Sequence, residues 1–314
     1  MRPEAHELLV AALAGRDTPA QVEAFLRLQM AHLRRGPGGE GSESIPVPRL
    51  DLPPEGRRRA EERLERTLER AAALGAFLWT PWDPEYPSRL RTITGPPPVL
   101  FVQGDRTLAL DRSVAVVGTR TPSRWGAAAA GETATRLAAA GWTVVSGLGV
   151  GIDRHAHAGA LAAGGRTVAV LPGGLDRLEP PSHVPLAEAI LRAGGLLLSE
   201  IAFGTPPTPA SRIARDRIQS GIALATVVVE TEVGGGTMHT ARFALEQDRP
   251  LFVLVPPDAT AFQSGGSLQL LYRDRTARPV QFPDGLAGLD RGLREILDGV
   301  GMGGRGTVRG SRRP

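Results

Sequence analysis

Residues 114–161 decide the fold, and they read VAVVGTRTPSRWGAAAAGETATRLAAAGWTVVSGLGVGIDRHAHAGAL. Two short apolar runs, at 114–117 and 143–145, are each followed by a glycine-containing segment and then by an Ala-rich helical segment. Consecutive apolar residues in so short a run are typical of a strand that is buried on both faces. The order of strand, glycine turn and helix therefore predicts a parallel sheet covered by helices.

The same alternation continues outward from this stretch. Four further apolar runs lie at 167–171, 196–198, 226–229 and 251–255, with segments of helical composition between them. Together the runs predict an α/β fold: a doubly wound, mostly parallel, Rossmann-like sheet over residues 76–286. Ligands of such sheets bind beyond the carboxyl ends of the strands.

The flanking segments have a different composition. Residues 1–75 are predicted to form a small helical N-terminal domain, with a Gly/Pro-rich linker at 36–56 and a final helix whose arginines alternate with glutamates. Residues 287–314 are predicted to form one short helix and a basic, disordered tail.

Composition excludes several classes of chemistry. All 37 basic residues are arginines and the chain has no cysteine. Disulfides, thiolate metal sites, cysteine nucleophiles and the lysine of a Walker loop or Schiff base are therefore ruled out. Neither a signal peptide nor a stretch of about 18 apolar residues is visible, so we expect a cytoplasmic protein without a membrane span.

The formal net charge of +4 equals the charge of four arginines near the C-terminus, namely Arg305, Arg309, Arg312 and Arg313. The rest of the chain is neutral on balance, so a nucleic-acid site in the body must be a local cluster. The tail itself either is solvated or adds contacts to DNA, and the sequence leaves both alternatives open.

Three glycine-containing segments follow predicted strands and precede predicted helices, so they offer free backbone N–H groups at one edge of the sheet. Such groups bind anions, and three at one edge predict a phosphate-binding face. The residues assigned to this face are Gly118, Thr119, Ser146, Gly147, Gly149, Gly151, Gly235, Gly236 and Thr237. The second segment does not match the dinucleotide fingerprint, because Ile152 stands where its last glycine is required, and no cofactor is predicted.

Arginines near this edge are the predicted cationic contacts. They are Arg120, Arg212, Arg215, Arg217 and Arg242. Arg120 lies inside the first glycine turn, which favours an anion contact, since an arginine fork fits a phosphate. For Arg217 and Arg242, a structural ion pair with a nearby acid is an equally good interpretation. The acids are Asp216, Glu200 and Glu230.

The HAH segment does not predict a metal site. His155 and His157 are two positions apart, so on a helix they point to different faces, and a histidine packed against the sheet is the favoured interpretation. Asp153 follows the second glycine segment and is predicted as the N-cap of the helix that begins there. No triad or pair of carboxylates is visible, so no catalytic or metal-binding residue is predicted.

These segments together resemble the DNA-processing protein A (DprA/Smf) family. The shared motifs are VAVVGTRTPSRWG, VSGLGVGIDRHAHAGAL, VAVLPGGLD, LLLSE, RDRIQSGIA and GGGTMHTARFALEQDRPLFVLVP, in the family's order over roughly residues 76–270. The resemblance implies a Rossmann-like protein that binds single-stranded DNA without cutting it. It also implies a homodimer that loads the RecA recombinase during natural transformation.

The resemblance further implies roles for individual residues. The positions that match the family's DNA-binding loops are Arg120, Gly147, Gly149, Gly151, Asp153, Arg215, Arg217, Gly235, Gly236 and Thr237. Asp216 departs from the family's usual asparagine and places a carboxyl group beside a predicted phosphate contact. For the homodimer, we expect an apolar pairing surface formed by Leu268, Leu270, Leu271 and Tyr272.

A second class of function stays open. The GGGT segment also resembles the loop of nucleotide sensors and cytokinin-activating phosphoribohydrolases, in which a glutamate closely follows the threonine. Here the next glutamate after Thr237 is Glu246, more than two helical turns away, which disfavours hydrolysis. The predicted function is therefore a non-enzymatic single-stranded DNA-binding mediator, with a nucleotide sensor or phosphoribohydrolase-like enzyme as the alternative.

Overall fold

The computed structural model describes Val10 and residues 53–299. The predictions for the first helices, for most of the linker at 36–56 and for the four tail arginines fall outside the described residues. Among the described residues, no helix combines the length and the apolar character needed to cross a membrane.

Nine strands form one sheet within residues 53–299. Their bounds are β1 (Ala76–Trp79), β2 (Leu100–Gly104), β3 (Ser113–Val117), β4 (Thr143–Ser146), β5 (Thr167–Val170), β6 (Leu196–Ser199), β7 (Ala225–Val228), β8 (Leu251–Leu254) and β9 (Arg278–Val280). The helices are α1 (Pro54–Ala73), α2 (Arg124–Ala139), α3 (Ile152–Ala162), α4 (Val184–Arg192), α5 (Pro209–Ile222), α6 (Gly236–Glu246), α7 (Gly265–Leu268) and α8 (Leu286–Leu297).

The strand order is β1-β2-β6-β5-β4-β3-β7-β8-β9. From β6 to β9 all neighbours are parallel, while β2 is antiparallel to both β6 and β1. The six runs predicted as strands are all strands, and β3 to β8 are buried along their whole length. The predicted doubly wound, mostly parallel α/β sheet is confirmed.

The order of the strands reverses between β3 and β7. From β3, the chain adds β4, β5 and β6 on one side and then returns to add β7, β8 and β9 on the other. The two strands pair in register up to Val117 and Val228. A crevice opens where two such strands end, so this topology places the candidate site.

Capping residues fix where two helices beside this crevice begin. The Ser123 side chain accepts a hydrogen bond from the Gly126 N–H at 2.9 Å and starts α2. Thr208 and Ser211 form a reciprocal capping box at the start of α5, with Pro209 at its first position. Ser or Thr before a helix, and proline at its first turn, are the residues that satisfy the free N–H groups there.

The packed body is larger than the predicted segment 76–286. In α8, Leu286, Leu289 and Leu293 are buried in the same apolar cluster as Val280. The Trp142 indole N–H also donates to Asp290 Oδ1 at 2.7 Å. The predicted short helix therefore exists, but it belongs to the sheet domain, which continues to about residue 297.

Helix α1 also packs against this body. Ala60, Leu64 and Ala71 are buried in one cluster with Phe101 and Phe203. The opposite face carries the predicted ion pairs four residues apart, for example Arg58 with Glu62 at 3.3 Å. The amphipathic interpretation of α1 is correct, and its apolar face contacts the sheet domain directly.

The predicted apolar pairing surface at 268–272 needs a correction. Leu270 and Leu271 are 4% and 7% exposed and pack inside a cluster with Val253. Tyr272 is 59% exposed, so it alone of these three presents a free side chain. Local sequence could not separate the inward from the outward residues, because 269–273 form a π-helical turn with its own periodicity.

Candidate functional site

A cleft of about 490 Å³ lies at the carboxyl ends of β3 and β7. Its walls come from the loop after β3, the start of α3, helix α5 and the start of α6. Eight of the residues predicted from the sequence line it, namely Gly118, Thr119, Arg120, Asp153, Arg212, Arg215, Gly236 and Thr237. The other lining residues were not assigned to the site from sequence, and they include the polar side chains of Asp216, Gln219, Glu232, His239 and Thr240.

The loop after β3 is held from both sides. The Thr119 N–H donates to the Glu230 carbonyl at 2.8 Å, and the Thr119 carbonyl accepts from the Ile152 N–H at 3.1 Å. Gly151 has a φ of +79°, and a Cβ there would collide with the Thr119 carbonyl and the Arg120 backbone. Gly151 is therefore required for this close approach of two loops, which fixes the backbone around Arg120.

Arg120 is exposed at the rim of the cleft. Among residues 53–299 it has no hydrogen bond or ion pair, whereas most arginines near the cleft are paired. The guanidinium is thus available to an external anion, and the backbone that carries it is rigid. This is the geometry predicted for the main cationic contact.

Arg215 is placed differently from its prediction. It is 7% exposed and lies under the second glycine segment, where its Nη1 donates to the Val170 carbonyl at 3.2 Å. A Cβ on Gly147 would overlap the Arg215 guanidinium, so Gly147 makes room for this side chain. Arg215 forms the floor of the cleft and is not a free phosphate contact.

Two carboxyl groups flank the Arg215 guanidinium. Asp216 Oδ1 lies 3.1 Å from Nε, and Asp153 Oδ2 lies 3.9 Å from Nη2. Burial raises the pKa of the Asp216 carboxyl to about 7, and the nearby Asp153 carboxyl adds to the rise, although Arg215, Arg120 and a hydrogen bond from Thr240 lower it. The charge of the cleft floor therefore changes near neutral pH.

Asp153 does not cap α3 in the predicted way. The N-cap position is Gly151, and Asp153 lies in the first turn of the helix. Its Oδ2 accepts a hydrogen bond from the Gly149 N–H at 3.1 Å. The Gly149 N–H, which was predicted to be available to a phosphate, is therefore already hydrogen-bonded to the Asp153 carboxylate.

The start of α6 supplies the third wall. Gly235 is the N-cap of this helix, and Gly236 and Thr237 line the cleft at its first turn. Behind them, one carboxylate oxygen of Glu232 is buried without a hydrogen-bond partner among the described residues. The amide nitrogen of Gln219 is likewise buried and unpartnered on the facing side. The position of Glu232 between the end of β7 at Val228 and the glycine segment before α6 was the sequence signal that could have found it.

The remaining predicted residues lie outside the cleft. Ser146 is buried and its hydroxyl donates to the Val116 carbonyl at 2.7 Å, which is a structural role. Arg217 forks onto Glu200 at 2.7 and 2.6 Å, as the ion-pair alternative predicted. Arg242 is exposed on the far side of α6, 3.5 Å from Glu246.

The two strand-end acids and the histidine also have structural roles. Glu230 accepts a hydrogen bond from the Ser123 N–H at 2.8 Å and packs against Gly126 at the start of α2. His157 is fully buried with Nδ1 2.7 Å from the Thr167 hydroxyl, and burial lowers its pKa to about 3. The interpretation of His157 as a histidine packed against the sheet is confirmed.

Known proteins resemble this chain in sequence over the same region. Protein Smf from Synechocystis is 39% identical over 62% of this chain and 49% of its own length. DNA processing protein DprA from Bacillus subtilis is 36% identical over 62% of this chain and 65% of its own length. The chain thus spans about half to two thirds of the curated relatives that it matches.

Two solved structures share the fold. DNA processing protein A from Streptococcus pneumoniae aligns with a TM-score of 0.69 and 24% identity over 91% of this chain and 95% of its own. DNA processing protein A from Helicobacter pylori, a single-stranded DNA-binding protein, aligns with a TM-score of 0.61 and 28% identity over 69% of this chain and 96% of its own. The profile of the family described as DNA recombination-mediator protein A matches residues 77–287, and the chain belongs to that family.

Proposed function

We propose that this protein binds single-stranded DNA in the cleft at the carboxyl ends of β3 and β7, with Arg120 as the main phosphate contact. The observation that carries the proposal is the exposed Arg120 guanidinium, which lacks a partner among the described residues and is mounted on a rigid loop. A planar guanidinium group already holds its N–H donors in the geometry that a phosphate needs, so little conformational entropy is lost for each charge-assisted hydrogen bond that forms.

The shape and charge of the cleft favour a flexible strand. The cleft is about 490 Å³ and is bordered by loops and by parts of α3, α5 and α6, which is room for individual phosphates and not for a duplex. A single strand can direct one phosphate inward, whereas the phosphates of a duplex are fixed on its outer surface. The single-stranded DNA binding of the Helicobacter pylori relative supports the same choice.

The proposed contact set is smaller than the sequence-predicted one. Gly118, Thr119, Arg120, Arg212, Gly236 and Thr237 surround the anion. Arg215 and Asp153 act indirectly through the floor of the cleft, since they are buried and bonded to each other and to the backbone. Ser146, Arg217 and Arg242 are left out, because their side chains have structural partners outside the cleft.

We propose further that the chain acts as a non-enzymatic mediator of DNA recombination in the cytoplasm, forms homodimers and hands its DNA to the RecA recombinase. Membership of the recombination-mediator family supports this role. A mediator must hold DNA and release it unchanged, which agrees with a site built on the Arg120 guanidinium, the paired Arg212 and backbone N–H groups.

The test is the binding of an oligo-dT of about 35 nucleotides by fluorescence anisotropy. Arg120→Ala should weaken binding by about tenfold or more, as expected for a lost charge-assisted contact of about 1.5–3 kcal/mol, and should leave thermal melting unchanged. Arg136→Ala is the matched control, because Arg136 is also exposed but is paired with Glu132 on α2. Unchanged binding by Arg120→Ala would move the site elsewhere.

A second candidate, nucleotide binding, is favoured by one observation. The unpartnered oxygen of Glu232 in the cleft could accept a hydrogen bond from a base or a ribose. Free AMP that competes with oligo-dT at comparable concentration, with loss on Glu232→Gln, would support this alternative. Release of ribose phosphate from AMP would replace the mediator proposal with an enzymatic one.

A further inference from the structure

Exposed apolar side chains gather around the cleft. Among the described residues eight large apolar side chains are exposed, and four of these, Val150, Ile213, Val233 and Phe262, lie on or beside the cleft. We call these four residues the apolar rim. Isolated exposed apolar residues are ordinary on a protein surface, but a group of them beside a ligand cleft marks a surface for a partner.

Each residue of the apolar rim lies in, or next to, a segment that forms a wall of the cleft. Ile213 lines the cleft directly. Val150 precedes Gly151, whose backbone packs against that of Arg120. Val233 follows the lining residue Glu232 and leads into the glycine segment before α6. Exposed apolar side chains are therefore carried by several of the segments that form the cleft walls.

Phe262 is the most exposed of these side chains, with 76% of its surface accessible. It starts a short 3₁₀ turn, Phe262–Ser264, in the connection between β8 and β9. The next residue, Gln263, donates to the Thr121 carbonyl at 3.4 Å, and Val233 packs over Gly265. The turn thus contacts both the Arg120 loop and the loop before α6.

The backbone that carries Phe262 is anchored. The Ser264 hydroxyl donates to the Asp258 carbonyl at 2.7 Å, and the Gly266 N–H donates to the Thr231 carbonyl at 2.8 Å. Asp258 in turn accepts hydrogen bonds from the backbone and hydroxyl of Thr260. A well-anchored backbone thus presents this aromatic side chain to solvent, where the faces of its ring are open to a flat partner.

We propose that Phe262 is a stacking platform for an unpaired nucleobase of the strand whose phosphate is held at Arg120, and that the rest of the apolar rim covers neighbouring bases. The occupant follows from chemistry: an unpaired strand joins an anionic backbone to exposed apolar base faces, and the site offers a free cation beside exposed apolar side chains. The base faces of a duplex are already stacked on each other. This inference rests on the proposed DNA binding and adds a subsite to it.

The experiment compares two oligonucleotides of equal length on three proteins. One is oligo-dT and the other has the same sugars and phosphates without bases. On oligo-dT, Phe262→Ala should bind about fivefold more weakly or worse, since fivefold is the lower end of the effect of removing an aromatic side chain that stacks on a base. Phe262→Trp should restore the affinity, because its ring can also stack. On the abasic strand, Phe262→Ala and the unmodified protein should bind equally, because the ring has no base to meet.

Leu74→Ala is the control, since Leu74 is another exposed large apolar side chain and lies outside the rim, at the end of α1. It should bind oligo-dT like the unmodified protein. An equal loss for Phe262→Ala and Leu74→Ala, or a loss for Phe262→Ala that is the same on both strands, would overturn the stacking subsite. So would a fall in the mass of Phe262→Ala by light scattering, which would assign the ring to contact with a second copy.

Failure of the underlying proposal looks different. If the unmodified protein binds neither strand, single-stranded DNA binding itself is wrong. If it binds both strands equally well and Arg120→Ala abolishes this, the phosphate site is correct and the stacking subsite is wrong.

Discussion

The first glycine loop and the middle of α5 use arginine in opposite ways. Arg120 sits on the loop after β3, exposed and without a partner among the described residues. Arg217 on α5 is forked onto Glu200 and also donates to the Gly95 carbonyl at 2.9 Å. Arginine thus serves as an unpaired, exposed cation in one region and as a member of a structural ion pair in the other. The difference is whether the fold brings a carboxylate within ion-pair distance of the guanidinium.

The largest expected effect comes from removing the ion pair between Arg217 and Glu200. Arg217→Ala leaves the largely buried Glu200 carboxylate without its partner, so the free energy of unfolding should fall by about 3–5 kcal/mol. Urea denaturation measures this loss. At a temperature where the variant is folded, its affinity for oligo-dT should equal that of the unmodified protein.

Arg242→Ala is the control for this prediction. Its ion pair with Glu246 is 58% exposed on both sides, so its removal should change the free energy of unfolding by less than about 1 kcal/mol. If Arg217→Ala instead keeps its stability and loses DNA affinity, Arg217 belongs to the DNA contacts.

The next effect concerns the floor of the cleft. Because the folded pKa of Asp216 is raised to about 7, the folded state holds this proton more tightly than the unfolded state. This contribution to stability is fully present below the ordinary pKa of 3.8 and is lost as the pH rises from there through about 7. Asp216→Asn should therefore resemble the unmodified protein at about pH 3 and be more stable at about pH 8 by roughly 2–4 kcal/mol.

The same group should make DNA binding depend on pH. The Asp216 carboxylate repels a phosphate, so affinity for oligo-dT should fall as the pH rises above about 7, by up to tenfold per unit. Asp216→Asn should remove this decline. The groups that face Asp216 are Arg215, Asp153, Arg120 and Thr240. If Asp216→Asn abolishes the pH dependence of binding, titration of Arg215, Asp153 or Arg120 is excluded as its source. An identical pH profile for both proteins would contradict the prediction.

A smaller effect separates charge from geometry at Arg120. Arg120→Lys keeps the positive charge but loses the planar fork, so affinity should fall by about fivefold while the salt dependence stays unchanged. In Arg120→Ala the slope of log affinity against log salt should also decrease, by about 0.7 for one phosphate contact on a single strand. Equal slopes in the two variants would show that Arg120 does not touch a phosphate.

The smallest expected effect comes from releasing a paired arginine of the cleft, Arg212, from its ion pair. Arg212 lines the cleft but is paired with Glu179 at 2.6 Å, with both side chains partly exposed. Glu179→Gln should free this second cation and strengthen DNA binding by up to about fivefold, because such a pair stabilises by about 0.2–1 kcal/mol. Weaker binding by Glu179→Gln would mean that the pair itself positions the α5 wall.

The sequence predicted the parallel strands better than the edge strands. Each run from β3 to β8 is buried on both faces and is therefore continuously apolar. The short β1 and β9 and the antiparallel β2 were missed. β9 has only three residues, two of them exposed, and contains Pro279. Such a strand has no periodic signal, and only its neighbour β8 makes it a strand.

By itself the sequence determined the sheet and the loops at its carboxyl edge, because buried strands and glycine turns are encoded by adjacent residues, and it predicted Arg120 as the principal cation. Only the tertiary structure decided how each arginine is paired. Arg215 and Arg217 are two positions apart on α5, yet one lies under Gly147 and the other meets Glu200, the residue that follows β6. Phe262 likewise reaches the Arg120 loop across more than 140 residues, through the contact of Gln263 with Thr121. Partners that are distant in sequence leave no local pattern, so these roles depend on the folded arrangement of the chain.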